Sequence, residues 1–186
     1  MASFITHAAV AATIIKIVSP GSNKINSRNY FICAVILSCF PDLDVLLYYL
    51  GVPYESFWGH RGIFHSIFAA IFLSFITNYL LLRKIDKLFS LSWWKSYSLL
   101  SIIAISHSVL DALTNGGHGI AFFAPFDNTR YFFPWRPLQV SPMGISFFGP
   151  KGLKVVLSEG FWIWLPCIII LTVFFVQRRA SKPYTE

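Results

Sequence analysis

The sequence predicts an all-α, polytopic membrane protein with about five transmembrane helices. Hydrophobic residues make up 55% of the 186 positions and only 12% are charged, which is about half the charged fraction of a soluble domain. The mean hydropathy is +0.61. Five apolar runs alternate with segments that contain glycine, proline or basic residues. A chain of this length forms one domain, so residues 1–186 are interpreted as a single membrane-embedded unit.

The five predicted spans cover residues 4–18, 30–50, 63–82, 97–114 and 161–176. The first run is short, but it lacks a basic start and a small-residue cleavage site, so we interpret it as a retained helix rather than a signal peptide. A turn is expected at 19–23. Pro41 interrupts the second run and is expected to kink it. The stretch 115–160 is rich in glycine, proline and aromatic residues and predicts a long loop that lies along the outer surface or is partly re-entrant.

Basic residues indicate how the chain is oriented. They cluster in three groups: Lys16, Lys24 and Arg28; Arg83, Lys84, Lys87 and Lys95; and Arg178, Arg179 and Lys182. With five spans, all three groups fall on one side of the membrane, which the positive-inside rule makes cytoplasmic. The N-terminus is then outside and the C-terminus inside. Because the net charge of +7 comes largely from span ends and not from a continuous basic stripe, no nucleic-acid partner is expected. The sequence does not predict the number of subunits.

Ionisable residues within the apolar runs predict a functional site, since such residues are costly in a membrane. His107 and Asp111 are four residues apart, so on a helix both side chains reach the same cation. The alternative is a hydrogen bond between a buried histidine and a buried aspartate. Asp42 and Asp44 are two residues apart, so either the backbone there is irregular or the two carboxylates have different roles. On the predicted topology these groups all lie toward the outer leaflet.

The cost of inserting the aspartates favours a bound metal. Each aspartate near a helix centre costs roughly 2.5–3.5 kcal/mol, and a few hydrogen bonds at about 1 kcal/mol each do not offset three of them. Histidine and aspartate without cysteine suit zinc first, with manganese or iron as alternatives, and one or two ions are expected. Cys33, Cys39 and Cys167 lie in apolar runs without metal-binding spacing. The predicted ligands are His7, Asp42, Asp44, His60, His65, His107 and Asp111, with His118 and Glu159 as weaker candidates.

Four motifs together resemble a known family. They are Thr6-His7, Pro41-Asp42-Leu43-Asp44, His60-Arg61-Gly62-Ile63-Phe64-His65-Ser66 and His107-Ser108-Val109-Leu110-Asp111. The set is similar to the bacterial family of inner-membrane metal-dependent hydrolases, whose founding members are described as LexA-regulated. The resemblance extends through about residue 126, and it departs at Ile63-Phe64, where the family often has an apolar residue followed by threonine. It implies a hydrolase in the bacterial cytoplasmic membrane.

A more distant resemblance is to the zinc-dependent phospholipase C and single-strand nuclease family. It implies that Asp42 or Asp44 holds one metal with His60 and His107, that Asp111 bridges, and that His7 serves another ion. His118 matches a later ligand loosely. The remaining downstream ligands of that family have no match here, so one or two metals are expected and not three.

The resulting hypothesis is a phosphoesterase acting on a lipid or lipid-linked phosphate at the outer face through a metal-activated water. Asp111, or whichever of Asp42 and Asp44 is not a ligand, would accept the proton of the water. Arg61 would hold a phosphate oxygen, or would instead be an interfacial anchor. The alternative function is an ion- or proton-coupled transporter or metal-binding membrane protein without hydrolytic activity. A haem site is disfavoured because no two histidines lie in an obvious way on facing mid-membrane helices.

Overall fold

The computed structural model describes residues 1–18, 28–83 and 87–181, and its regular structure within these ranges is helical. The α-helices are α1 (Phe4–Val18), α2 (Arg28–Cys39), α3 (Val45–Tyr49), α4 (Ile67–Leu82), α5 (Leu91–Ala112), α6 (Pro150–Glu159) and α7 (Leu165–Ala180). Short 3-10 segments span Phe40–Asp44, Ile63–His65 and Gly144–Phe148, and a π-helical turn, Gly160–Trp164, joins α6 to α7. Strand-like pairing in the described ranges is limited to isolated bridges. The predicted all-α class is confirmed.

Two continuous helical segments are long and apolar enough to cross a membrane, judged by length and composition. They are Arg28–Tyr49, with 22 residues, and Pro150–Ala180, with 31 residues. Phe4–Val18 and Ile67–Leu81 are apolar but shorter. The count of five spans therefore stays a prediction. So does the orientation, and Lys24, Lys84, Lys182 and the turn expected at 19–23 lie outside the described residues.

Two helices begin earlier than the sequence predicted. Helix α5 starts at Leu91 and not at 97, because the Ser90 hydroxyl accepts a hydrogen bond from the Trp93 N–H and caps the first turn. The last helical segment starts at Pro150 and not at 161, so the predicted loop 115–160 was too long. Charged residues in α6 conceal its helical pattern, but its buried residues fall on one face.

Helices α1, α2, α4 and α5 pack around one apolar core. Alanine residues at their contacts allow close helix approach, and α4 and α5 form an extensively packed pair. The buried members of this core are Ala11, Ile15, Tyr30, Ala34, Leu37, Ala70, Leu99, Leu100, Ile103 and Ala104. Helix α7 has no buried residue and lies against α1, so it borders the bundle rather than filling it.

The loop that follows α5 folds back over the end of the bundle. Its Asn115 N–H donates to the Leu138 carbonyl at 2.9 Å, and the Ala121 N–H donates to the Arg61 carbonyl at 3.1 Å. Ile120 and Leu138 are fully buried. The loop is therefore partly buried and anchored against the segment that contains His60 and Arg61, and its place at the outer surface stays a prediction.

Candidate metal centre

The predicted ligands converge at one end of the helical bundle. Helix α1 provides His7, the 3-10 segment after α2 provides Asp42 and Asp44, the loop and 3-10 segment before α4 provide His60 and His65, and α5 provides His107 and Asp111. The side chain of Asp42 is 9% exposed, whereas the other six are essentially buried. Seven residues separated by up to about a hundred positions thus form a single interior cluster.

Four of these residues form what we term the first ligand group: Asp42, His65, His107 and Asp111. Asp42 Oδ1 lies 3.5 Å from His107 Nε2 and 3.7 Å from His65 Nε2, and Asp111 Oδ2 lies 3.6 Å from His65 Nε2. These separations exceed normal hydrogen-bond lengths. Ligand atoms held about 2.0–2.2 Å from a tetrahedral zinc ion are themselves separated by roughly 3.3–3.6 Å. The spacing suits a cation between the four side chains.

His7 borders the first ligand group. Its ring stacks on that of His107, with ring centroids 3.8 Å apart. Its Nε2 lies 3.4 Å from Asp111 Oδ1 and 3.9 Å from Asp42 Oδ2. His7 therefore faces the same two carboxylates as the group and is placed to complete a coordination shell.

A second ligand group consists of Asp44, His60 and His65. His60 Nδ1 donates to Asp44 Oδ1 at 2.5 Å, which leaves His60 Nε2 with its lone pair and no partner. His65 is shared, since its Nδ1 lies 3.0 Å from Asp44 Oδ2 while its Nε2 faces the first group. Burial lowers the pKa of His60, although the hydrogen bond that His60 donates to Asp44 opposes this shift. A lowered pKa favours the neutral imidazole that metals bind.

The 3-10 segment Phe40–Asp44 explains how Asp42 and Asp44 reach different groups. Pro41 stands at its first turn and the α-helical hydrogen-bonding pattern is interrupted there. The irregular backbone expected from the sequence is therefore present. It directs Asp42 toward His107 and Asp44 toward His60.

Unpartnered buried atoms concentrate at this cluster. Within the described residues, 13 buried side-chain nitrogen and oxygen atoms make no hydrogen bond, and 10 of them belong to the two ligand groups, His7 and Arg61. Leaving one such atom unsatisfied costs about 1–3 kcal/mol. Arg61 Nε is a donor, and each neutral imidazole has one N–H, but the carboxylate oxygens and one nitrogen of each imidazole carry lone pairs that a divalent cation satisfies, so the residues present fit a metal ion.

Hydrogen bonds from outside the groups orient the candidate ligands. The His107 Nδ1–H donates to the Ser38 carbonyl at 2.7 Å, which leaves the Nε2 lone pair directed at Asp42. The backbone N–H of Ala2 donates to Asp111 Oδ1 at 2.6 Å. Partners of this kind fix the tautomer and direction of metal-binding side chains.

Arg61 is an interior residue and not an interfacial anchor. Its side chain is fully buried, with Nε 3.5 Å from Asp111 Oδ2, and it donates to the Gly116 carbonyl at 2.8 Å and to the Thr114 hydroxyl at 2.9 Å. Gly117 has a φ of 88°, and a Cβ there would overlap the Arg61 guanidinium. Only glycine fits at this position, so the loop is built around the guanidinium.

The two weaker candidates lie apart from both ligand groups. His118 is half exposed, and its Nδ1 pairs with Glu55 Oε1 at 3.0 Å. Glu159 is fully buried but accepts hydrogen bonds from the Ser3 N–H, the Ser3 hydroxyl and the Thr6 hydroxyl. Glu159 therefore holds the first turn of α1.

Sequence reasoning assigned no supporting role to Ser3 or Ser38. It also missed the roles of Ser108, whose hydroxyl donates to the His65 carbonyl, and of Thr114, whose hydroxyl accepts from Arg61. Ser3 precedes α1 and accepts from the Thr6 N–H, so a helix-capping pattern was present at that position. Ser38 contributes a backbone carbonyl, and nothing in the sequence points to that contact.

The fold and the cluster define an all-helical protein with membrane-length apolar helices and a buried group of histidines and aspartates able to hold a metal ion. The chain belongs to the family described as YdjM inner membrane protein, whose family model matches residues 1–181. It is 34% identical over 180 residues to "Inner membrane protein YbcI" of Escherichia coli (strain K12), an alignment covering 96% of this chain and 100% of that protein. No solved structure gives a significant match. These relatives support an inner-membrane location.

Proposed function

We propose that the protein is a metal-dependent hydrolase of the inner membrane that cleaves a phosphoester of a lipid or lipid-linked phosphate. The observation that best supports the proposal is the set of buried, unpartnered nitrogen and oxygen atoms around the two ligand groups. The resemblance of the four motifs to membrane-bound metal-dependent hydrolases favours hydrolysis over metal binding alone.

We assign Asp42, His65, His107 and Asp111 as ligands of the principal ion, with His7 beside them. Zinc suits this donor set best, and manganese or iron are alternatives. The second ligand group provides a site for a further ion, so one or two ions are expected. A bound ion supplies Lewis acidity and a water that loses its proton near neutral pH.

The surrounding residues supply the proton transfer. In the overall reaction, water oxygen bonds to phosphorus, the phosphorus–oxygen ester bond breaks, and the leaving alcohol takes a proton. Asp44 is the better candidate for general base if Asp111 is a ligand, because Asp44 borders the centre through His60 and His65. Arg61 already donates to Thr114 and Gly116, so its contacts favour holding Asp111 over binding phosphate.

The test is metal content of detergent-purified protein, measured by mass spectrometry for the wild type, His107→Ala and Asp111→Ala. His118→Ala is the matched control, since it removes a histidine outside both ligand groups. We expect stoichiometric zinc, manganese or iron in the wild type and the control, and loss of the metal in the other two. Circular dichroism checks that each variant is folded.

Hydrolysis is then assayed on the metal-loaded protein with phospholipid vesicles and with bis(p-nitrophenyl) phosphate. A folded wild type that binds no metal even after reloading would reduce the cluster to a hydrogen-bond network. A metal-loaded protein that cleaves neither substrate, but supports metal flux in proteoliposomes, would establish the transporter alternative instead.

A further inference from the structure

An apolar groove of about 400 Å³ opens beside Asp42. This volume lies within the range typical of small-molecule sites. One wall contains Leu43, Val45 and Leu46, and the opposite wall contains Met143, Phe147 and Phe148. The groove thus runs between α3 and the 3-10 segment Gly144–Phe148.

The groove meets the candidate metal centre at Asp42. Asp42 is the least buried member of the first ligand group, with a side chain that is 9% exposed, although both of its carboxylate oxygens are buried; His65, His107 and Asp111 are fully buried. Asp42 Oδ1 lies 3.5 Å from His107 Nε2. A molecule in the groove therefore has one end against Asp42, whose carboxylate faces His107, and the rest of it against apolar walls.

The outer parts of both walls present apolar surface to the surroundings. Leu43 and Leu46 are 54% and 59% exposed, and Phe148 is 86% exposed. In an inner-membrane protein such side chains are solvated by lipid without cost. The groove is consequently open to acyl chains from the side.

The lining of the groove also disfavours polyanionic phosphoesters. Among the described residues that line it there is no lysine, arginine or histidine side chain, and its charged groups are the Asp42 carboxylate and the Met1 amino group, which lies 3.9 Å from Asp111 Oδ2. The Met1 amino group is already paired with Asp111, so a nucleotide or other polyanion would lose hydration along the apolar walls without a matching set of positive side chains. A hydrocarbon chain has no such cost and gains from leaving water.

We propose that this groove is the acyl-chain subsite of the enzyme, and that its substrate class is a membrane phospholipid whose phosphate lies at the Asp42 end. The assignment rests on the proposed function for the fate of the phosphate. The groove itself binds the chain whether or not hydrolysis follows.

The test uses phosphatidylglycerol with a photoreactive diazirine near the end of one acyl chain, reconstituted with the full protein in liposomes. Labelled peptides are mapped by mass spectrometry. We expect labelling concentrated on residues 43–46 and 143–148. Leu46→Trp fills the groove and should lower labelling of 143–148 by about tenfold, because several methylene groups are excluded.

Ile102→Trp is the matched control, since Ile102 is exposed to a similar extent, 57%, and lines a different apolar groove on α5. It should leave the labelling of 43–46 and 143–148 unchanged. Metal content should be the same in wild type and both variants. If Leu46→Trp does not fold, Phe148→Ala removes part of the opposite wall from a highly exposed position and should lower labelling of 43–46.

The possible outcomes test the groove assignment and the proposed hydrolysis separately. The groove assignment would be overturned if labelling were uniform over the lipid-facing helices and unchanged in Leu46→Trp or Phe148→Ala. This holds even if phosphoesters are cleaved. Labelling confined to the groove in a metal-loaded protein that cleaves neither phosphatidylglycerol nor bis(p-nitrophenyl) phosphate would overturn the proposed function and keep the acyl-chain site.

Discussion

The two halves of helix α5 are buried to the same degree but differ in composition. Leu99 and Leu100 in the first half are at most 3% exposed and pack in the apolar core. His107 and Asp111 in the second half are fully buried, yet each retains an unpartnered atom. The first half thus contributes apolar packing, whereas the second half contributes buried polar atoms whose lone pairs fit the metal ion that we propose.

The largest effect is expected from Asp111→Asn, which removes a candidate ligand at nearly constant volume. Loss of partners that merely orient ligands weakens metal binding about 10–100-fold, so loss of Asp111 should weaken it by about 100-fold or more. The buried Arg61, 3.5 Å away, also loses its counter-charge, at a cost of about 3–5 kcal/mol. Metal titration and thermal unfolding measure the two effects. Wild-type metal affinity in this variant would remove Asp111 from the ligand set.

Leu100→Ala tests the contribution of the first half of α5 to stability. Leu100 is fully buried in the apolar core, so truncation should lower the free energy of unfolding by about 2–5 kcal/mol. Metal stoichiometry of the folded protein should stay at the wild-type value, because Leu100 lies about two turns from His107. A loss of metal in folded Leu100→Ala would show that the two halves are not separable.

Removing the metal tests the same comparison between the two halves of α5 by changing the bound ion and not the protein. A metal that binds the native state at a free concentration of 100 times its Kd stabilises that state by about 2.7 kcal/mol. Chelation by EDTA should therefore lower the Tm of the wild type and of Leu100→Ala, and should leave the Tm of Asp111→Asn nearly unchanged. An EDTA effect of equal size in Asp111→Asn would place the metal elsewhere.

A smaller effect is expected from Glu159→Gln. Glu159 accepts hydrogen bonds from Ser3 and Thr6, and Ala2, next to Ser3, donates to Asp111. Glu159 therefore positions the candidate ligand Asp111 without contacting either ligand group. We expect metal affinity to fall about tenfold while the protein stays folded. Glu55→Gln changes an exposed glutamate paired with His118 and should leave the affinity unchanged. Equal affinities in the two variants would restrict Glu159 to a structural role.

The sequence predicted which residues meet, because ionisable groups in apolar runs have few alternatives. The spacing of His107 and Asp111 on one helix face is a local property, and the structure places both side chains in one group. The separate directions of Asp42 and Asp44 required the backbone geometry after Pro41, which the sequence left open.

Two features of the structure were not predicted from the sequence, and each has a physical reason. The start of α6 was missed because its lysines give it the composition of a loop, although Gly152, Val155 and Glu159 form one buried face. The bond between Ser3 and Glu159 joins residues 156 positions apart, and no local pattern indicates such a pairing. Interactions of this kind depend on how helices pack and not on the order of residues within one of them.

The sharing of His65 between the two ligand groups limits how many ions the protein holds at once. A neutral imidazole has one lone pair and one N–H, and the two ring nitrogens of His65 face different groups. An ion bound at Nε2 leaves Nδ1 as a hydrogen-bond donor to Asp44, whereas an ion at Nδ1 would withdraw Nε2 from the first group. The two groups therefore compete for the lone pair of His65, so of the one or two ions expected, a second ion should bind more weakly than the first.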